Sequence, residues 1–202
     1  MPTPDLRRAL TKALKPPDGA AQGREAANSA PNGTASSPSA YSRTPYPAAG
    51  TETRRRVAVL GVGSVLRSDD AAGVRVAAAL GRRRLPGVDA LDGGSAPENC
   101  TAELRRISPS HLIIVDCAEM GEAPGAVRLI DAADIGGVSF GTHALPLSVL
   151  ADYVAREIGS RVTVIGIQPA HIEFGEALSP EVSAAVAEVT LALEECLSTR
   201  VG

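Results

Sequence analysis

The chain has 202 residues, 44% of them hydrophobic but only 2% aromatic, which is enough for one ordinary domain with a core of Val, Leu, Ile and Ala plus additional chain. Its net charge of −3 is uneven: residues 1–56 carry nine Lys/Arg against four Asp/Glu, whereas residues 57–202 carry eleven against nineteen. An acidic folded part without lysine, in a chain with so few rings, excludes a protein that wraps nucleic acid, which needs a cationic face and stacking side chains.

Cys100, Cys117 and Cys196 are odd in number and widely spaced, with no C-x-x-C pair, so neither a disulfide framework nor a cysteine zinc site is indicated. A reducing cytoplasm suits them. No apolar run approaches the ~18–20 residues of a membrane helix, and the expectation is a soluble cytoplasmic protein without a membrane partner.

In chain order, residues 1–55 form a Pro/Ala/Ser-rich extension that cannot bury enough apolar surface to offset ordering, and disorder is expected there. Within it, Pro4–Leu14 has the pattern of a short basic amphipathic helix. The domain is expected over 56–202. It opens with the continuous apolar strand Val57–Leu60, a turn Gly61–Asp70, and a helix marked by Val74, Ala77 and Leu80. A second strand at Val88–Leu91 runs into Asp92-Gly93-Gly94. Pro97–Ile107 reads as a helix with Ser95 as a candidate cap, and His111–Val115 as a third strand ending on Asp116.

Ala126–Ile130 reads as a fourth strand, Leu147, Leu150, Val154 and Ile158 mark a helix, and Val162–Ile167 a further buried strand. Val182, Val186, Val189, Leu193 and Leu197 mark a terminal helix, started by a cap at Ser179, a proline at 180 and an acid at 181. Strands alternating with helices predict an α/β fold: a three-layer αβα sandwich around a mostly parallel, twisted sheet of about five strands.

In such sheets the site lies at the carboxyl ends of the strands. Asp70 follows strand one, Asp92 strand two, and Asp116 ends strand three, so acids gather on one edge and call for a cation or a shared proton. His143, in the loop Phe140-Gly-Thr-His143, is expected on the same edge. One imidazole with two or three carboxylates suits nickel, zinc or another divalent first-row ion with open positions. Asp69 is read as a helix cap. Asp92 is balanced between a turn-forming role and metal contact. His111 and His171 are read as structural or solvated, and Cys117 as buried. A nucleotide is not expected, since Gly61-Val-Gly63 lacks the third glycine of a dinucleotide turn and carries acids where a phosphate would sit.

Taken together, the segment 60–75 (LGVGSVLRSDDAAGVR), Asp92-Gly93-Gly94, His111–Asp116 and Thr142-His143 resemble the [NiFe]-hydrogenase maturation proteases, over essentially all of 57–202. Gly166-Ile-Gln-Pro169 and the segment 174–182 (FGEALSPEV) look most like the branch serving hydrogenase-3, of the formate hydrogenlyase type. Ser64 stands where that family usually has Asn. The resemblance implies an aspartic-type endopeptidase that removes the C-terminal tail of a hydrogenase large-subunit precursor after nickel insertion. It implies Asp70, Asp116 and His143 as the nickel-recognising and catalytic groups, while Asp92 stays a possible metal contact on the reading of its own turn alone. On this view nickel is supplied by the precursor, the precursor is the partner, and the protein works as a monomer. Two other readings stand beside it: a non-catalytic, nickel-sensing, chaperone-like binder of the precursor, and a different hydrolase on the same scaffold.

Overall fold

A computed structural model describes residues 3–15, 56–130, 139–140, 146–175 and 177–199. Four strands are parallel in the order β2 (Val88–Gly94), β1 (Val57–Val62), β3 (His111–Glu119), β6 (Arg161–Ile167), and β4 (Val127–Ile130) closes the edge antiparallel to β6. The two-residue strand β5 (Ser139–Phe140) pairs antiparallel with Ala118 and Glu119 of β3. The apolar runs of β1 and β3 are central because both their faces need cover.

Alternation along these strands sorts the core into two layers. Val57, Val59, Ile113, Val115, Ile165 and Ile167 face one side, where they meet α2 (Ala72–Arg83) and α5 (Pro180–Ser198). Ala58, Leu60, Leu112, Ile114 and Val164 face the other, against Leu104 of α3 (Thr101–Ile107) and Leu147, Leu150 and Ala151 of α4 (Leu147–Tyr153). A π-helical turn, Val154–Ile158, continues α4. The expected αβα sandwich is the observed architecture.

The segment Met1–Lys15 belongs to the same compact unit as Arg54–Gly202. Its helix α1 (Pro4–Leu14) buries Leu6, Leu10 and Leu14 in the α2/α5 layer. Thr3 donates from its amide and hydroxyl to Glu188, and Arg7 pairs with Glu195. Disorder is therefore the wrong expectation for this part of the extension: leucines at i, i+4 and i+8 supply a stripe that α5 covers. Residues 16–55 lie outside the described residues.

Several boundaries also differ from expectation: β1 runs on to Val62 and β2 to Gly94, past the apolar runs that end at Leu60 and Leu91. β3 runs past Asp116 to Glu119, because β6 continues alongside to Cys117 and β5 pairs beyond it. Pro97 begins a 3-10 turn, Pro97–Cys100, whose preceding position is Ala96 rather than Ser95. Among the described residues no helix is long and apolar enough to cross a membrane.

Candidate active site

The turn after β1 is dictated by two glycines. Gly63 has φ +125°, and a Cβ there would lie 1.7 Å from the carbonyl oxygen of Asp70, so only glycine lets the chain fold back over this acid. Gly73 opens the first turn of α2, where a Cβ would lie 2.0 Å from the Val115 oxygen and 2.5 Å from that of Val62. The helix start thereby rests on the carboxyl ends of β1 and β3. Between them the 3-10 turn Ser68–Ala71 carries both acids.

These neighbours have opposite surroundings. Asp69 is fully buried and accepts hydrogen bonds from the backbone amides of Ser179 (2.7 Å), Ala170 (2.9 Å) and His171 (3.2 Å). Burial by itself raises its pKa, but the amides of Ser179, Ala170 and His171 outweigh it and hold the carboxyl below its ordinary value. Asp69 does not cap the helix beside it; it ties the loop after β6 to the turn after β1. Asp70 is 2% exposed, and its Oδ2 accepts from the Ser64 amide at 2.9 Å. Its Oδ1 is buried and accepts no hydrogen bond from any of the described residues. A buried carboxylate oxygen without a donor is costly unless a cation meets it.

Asp116 is fully buried, with Oδ1 accepting from the Cys117 amide at 2.8 Å. The Cys117 thiol is pushed far upward by burial first, then by the charges of Asp116, Asp70, Asp69 and Glu119. The upward shift makes Cys117 a poor nucleophile, held as a thiol. Asp116 and Cys117 are neighbours in β3, and the turn that carries Asp70 packs where Gly73 meets Val115 of the same strand.

The other expected positions fall elsewhere. Asp92 is exposed at the end of β2 and accepts from the Gly94 amide at 2.9 Å, a turn-forming contact. His143 lies outside the described residues. His111 is buried at the opposite end of β3 with Nε2 2.9 Å from the Thr163 hydroxyl, and His171 is exposed in the loop after β6. Among the described residues no group of three or more His, Cys, Asp or Glu could hold a metal ion. Ser64 acts in its turn as an acceptor, its hydroxyl receiving the Leu66 amide at 3.4 Å.

Two polar residues that organise this edge escape the sequence reading. Gln168 is buried directly after β6; its Oε1 accepts from Met120 (2.7 Å) and Glu122 (3.3 Å) amides, while its Nε2 donates to Glu119 at 2.8 Å. Ser68 is buried too, its hydroxyl accepting from the Glu173 amide at 3.0 Å and donating to the His171 carbonyl at 3.3 Å. A polar residue immediately after a buried apolar strand is the signal that singles out Asp116, and it singles out Gln168 equally.

The fold and its edge define an open α/β sheet that buries acids at the carboxyl ends of its strands, and comparison with known proteins assigns it to a peptidase family. The family model for hydrogenase maturation protease matches residues 74–196. The hydrogenase 3 maturation protease of Escherichia coli strain K12 is 36% identical over 137 residues, covering 67% of this chain and 87% of that protein. The crystal structure of the [NiFe] hydrogenase maturation protease HycI from Thermococcus kodakarensis KOD1 superposes with a TM-score of 0.65 at 29% identity, over 71% of this chain and 92% of that one. The solution structure of the endopeptidase HycI from Escherichia coli gives 0.62 at 33% identity, over 73% and 92%. The chain belongs to the hydrogenase maturation protease family.

Proposed function

We propose that this protein is the endopeptidase that removes the C-terminal tail of a [NiFe]-hydrogenase large-subunit precursor once nickel is in place. The observation that carries the reading is the Oδ1 of Asp70, a buried carboxylate oxygen without a donor among the described residues, in a fold that also buries Asp116 at the carboxyl end of the sheet. An acid kept in that state suits a cation that arrives with the substrate, because a resident hydrogen bond would have to be broken each time. Nickel is then part of the substrate, held by precursor thiolates, and Asp70, Asp116 and His143 are its recognising groups on this chain. The soft thiolates and the harder carboxylates together complete a first-row donor set that neither partner has alone.

Reading the ion at this edge fixes the adjoining peptide against the protease, so the scissile bond is held near a polarising charge rather than meeting it by diffusion. Either a carboxylate of the pair takes the proton of the attacking water and passes it to the leaving amine, or the water is activated on the substrate's nickel. Glu119, Met120 and Glu122 are held by Gln168 beside the same edge, which keeps that wall in place.

The test is incubation of the purified protein with nickel-loaded and nickel-free precursor, followed by mass spectrometry. Loss of the tail only from the nickel-loaded form is expected, and Asp70→Asn and Asp116→Ala are expected to abolish it. Processing by Asp116→Ala at the parental rate would overturn the proposal. Tight binding with unchanged precursor mass would instead identify a binder that does not cut.

A further inference from the structure

Among the described residues the exposed large hydrophobic side chains are Val65 (43%), Leu66 (50%), Val149 and Phe174 (90%). Val65 and Leu66 occupy the turn that carries Asp70, and Phe174 occupies the loop after β6. These two loops are joined through backbone. The Gly175 amide donates to the Leu66 carbonyl at 2.9 Å, and the Ser68 amide to the Gly175 carbonyl at 2.5 Å, so Phe174 is held next to the Leu66–Ser68 strand of chain. Asp69 and Ser68 fasten the same loop from below through the amides of Ala170, His171, Ser179 and Glu173.

Single exposed apolar residues are ordinary on a soluble surface, but a phenylalanine this exposed contributes nothing to its own core. Three of them on two loops locked together at the rim of the acid pair are a preformed apolar platform. We propose that Val65, Leu66 and Phe174 form the docking platform for the precursor polypeptide, taking apolar side chains of the segment that adjoins the scissile bond. The occupant follows from position: the platform is continuous with the turn that places Asp70, and a peptidase's substrate chain must pass over that turn to reach it. The amides of Ala170, His171, Glu173, Gly175 and Ser179 are already hydrogen-bonded, which lowers the ordering cost of capture around Phe174. An exposed aromatic at the centre of such a platform is the residue type that dominates binding energy at protein interfaces.

This inference rests on the proposed processing activity but is tested apart from it. The kinetics of tail removal from purified nickel-loaded precursor are compared for wild type, Phe174→Ser, Leu66→Ser and Phe174→Leu. Phe174→Ser and Leu66→Ser are expected to raise KM about tenfold with kcat unchanged, as loss of a buried apolar contact requires, and Phe174→Leu to recover most of the loss. Unchanged KM in both serine variants, with Asp70→Asn inactive, would overturn the platform and leave the processing activity standing. If wild type leaves the precursor uncut, the dissociation constant for the same precursor decides: about tenfold weakening by Phe174→Ser supports the platform, and equal affinity overturns it. Sedimentation of the free protein covers the remaining occupant, since a dimer dissolved by Phe174→Ser with precursor affinity unchanged would assign the platform to a second copy of the chain instead.

Discussion

The carboxyl edge of the sheet and the flank where α1 meets α5 follow opposite rules. On the flank, Leu6, Leu10 and Leu14 are buried, Thr3 bonds Glu188, and Arg7 pairs with Glu195. At the edge, a buried carboxylate oxygen lacks a donor among the described residues and a phenylalanine stands almost fully in water. Each violation costs stability, and both fall within two hydrogen-bonded loops. Local rules fail together where the molecule is prepared for something other than itself.

The sharpest way to break that contrast is at Asp70. Asp70→Asn is expected to lower the rate of precursor processing by at least about 1000-fold, while leaving stability unchanged or raising it by about 1 kcal/mol, because a buried charge is removed and the acceptor for Ser64 is kept. Activity assays beside urea unfolding read both. A large loss of stability would mean that Asp70 is a structural anchor like its neighbour.

Next in size is the scaffold of the edge. Gly63→Ala is expected to destabilise by at least about 3 kcal/mol, since its φ and the Asp70 carbonyl leave no room for a Cβ. Asp69→Ala, which orphans amides of Ala170, His171 and Ser179, is expected to cost about 3 kcal/mol. The Asp69 contribution also depends on pH in a definite direction. Its folded pKa is lowered, so the stabilisation is fully present above the ordinary carboxyl value of 3.8 and is lost as pH falls from there through the folded value. The stability difference between wild type and Asp69→Asn is therefore expected to shrink below about pH 4, and a difference independent of pH would show that Asp69 is not held charged.

The flank is expected to respond more moderately. A chain starting at Arg54 loses α1, and its unfolding free energy is expected to fall by about 2–4 kcal/mol, three buried leucines partly offset by the ordering entropy of the helix. Cys196, which lies 3.6 Å from the Thr11 hydroxyl under α1, should then react with a thiol reagent much faster than in the full chain. Equal stability and equal reactivity would show that α1 is dispensable. Smallest of all, Arg83→Ala removes an exposed pair with Glu194 and is expected to change stability by less than about 1 kcal/mol.

How much was readable beforehand follows the range of the interactions. The strands at 57–62, 111–119 and 161–167 are apolar runs whose burial is written locally, and the start of α5 is signalled by Ser179, whose hydroxyl does accept the Val182 amide. The burial of Asp70 and Asp116 was legible because each stands next to a continuous apolar run. Asp69 was misread as a cap because its partners are about a hundred residues away, at 170, 171 and 179, and nothing in its own turn reveals them. The two-residue strand at Ser139–Phe140 has no periodicity to read. The burial of α1 was legible in its leucine spacing but was outweighed by the composition of the residues around it.

The bond from Thr3 to Glu188 spans 185 residues and sets an order of assembly. In synthesis Leu6, Leu10 and Leu14 precede by more than 160 residues the helix that shelters them, Pro180–Ser198. The central sheet can pair while α1 still waits, since α1 can be buried only once α5 has been made. During that interval its apolar stripe is open to chaperones, and any partner that held α1 would meet the protein before its fold is closed.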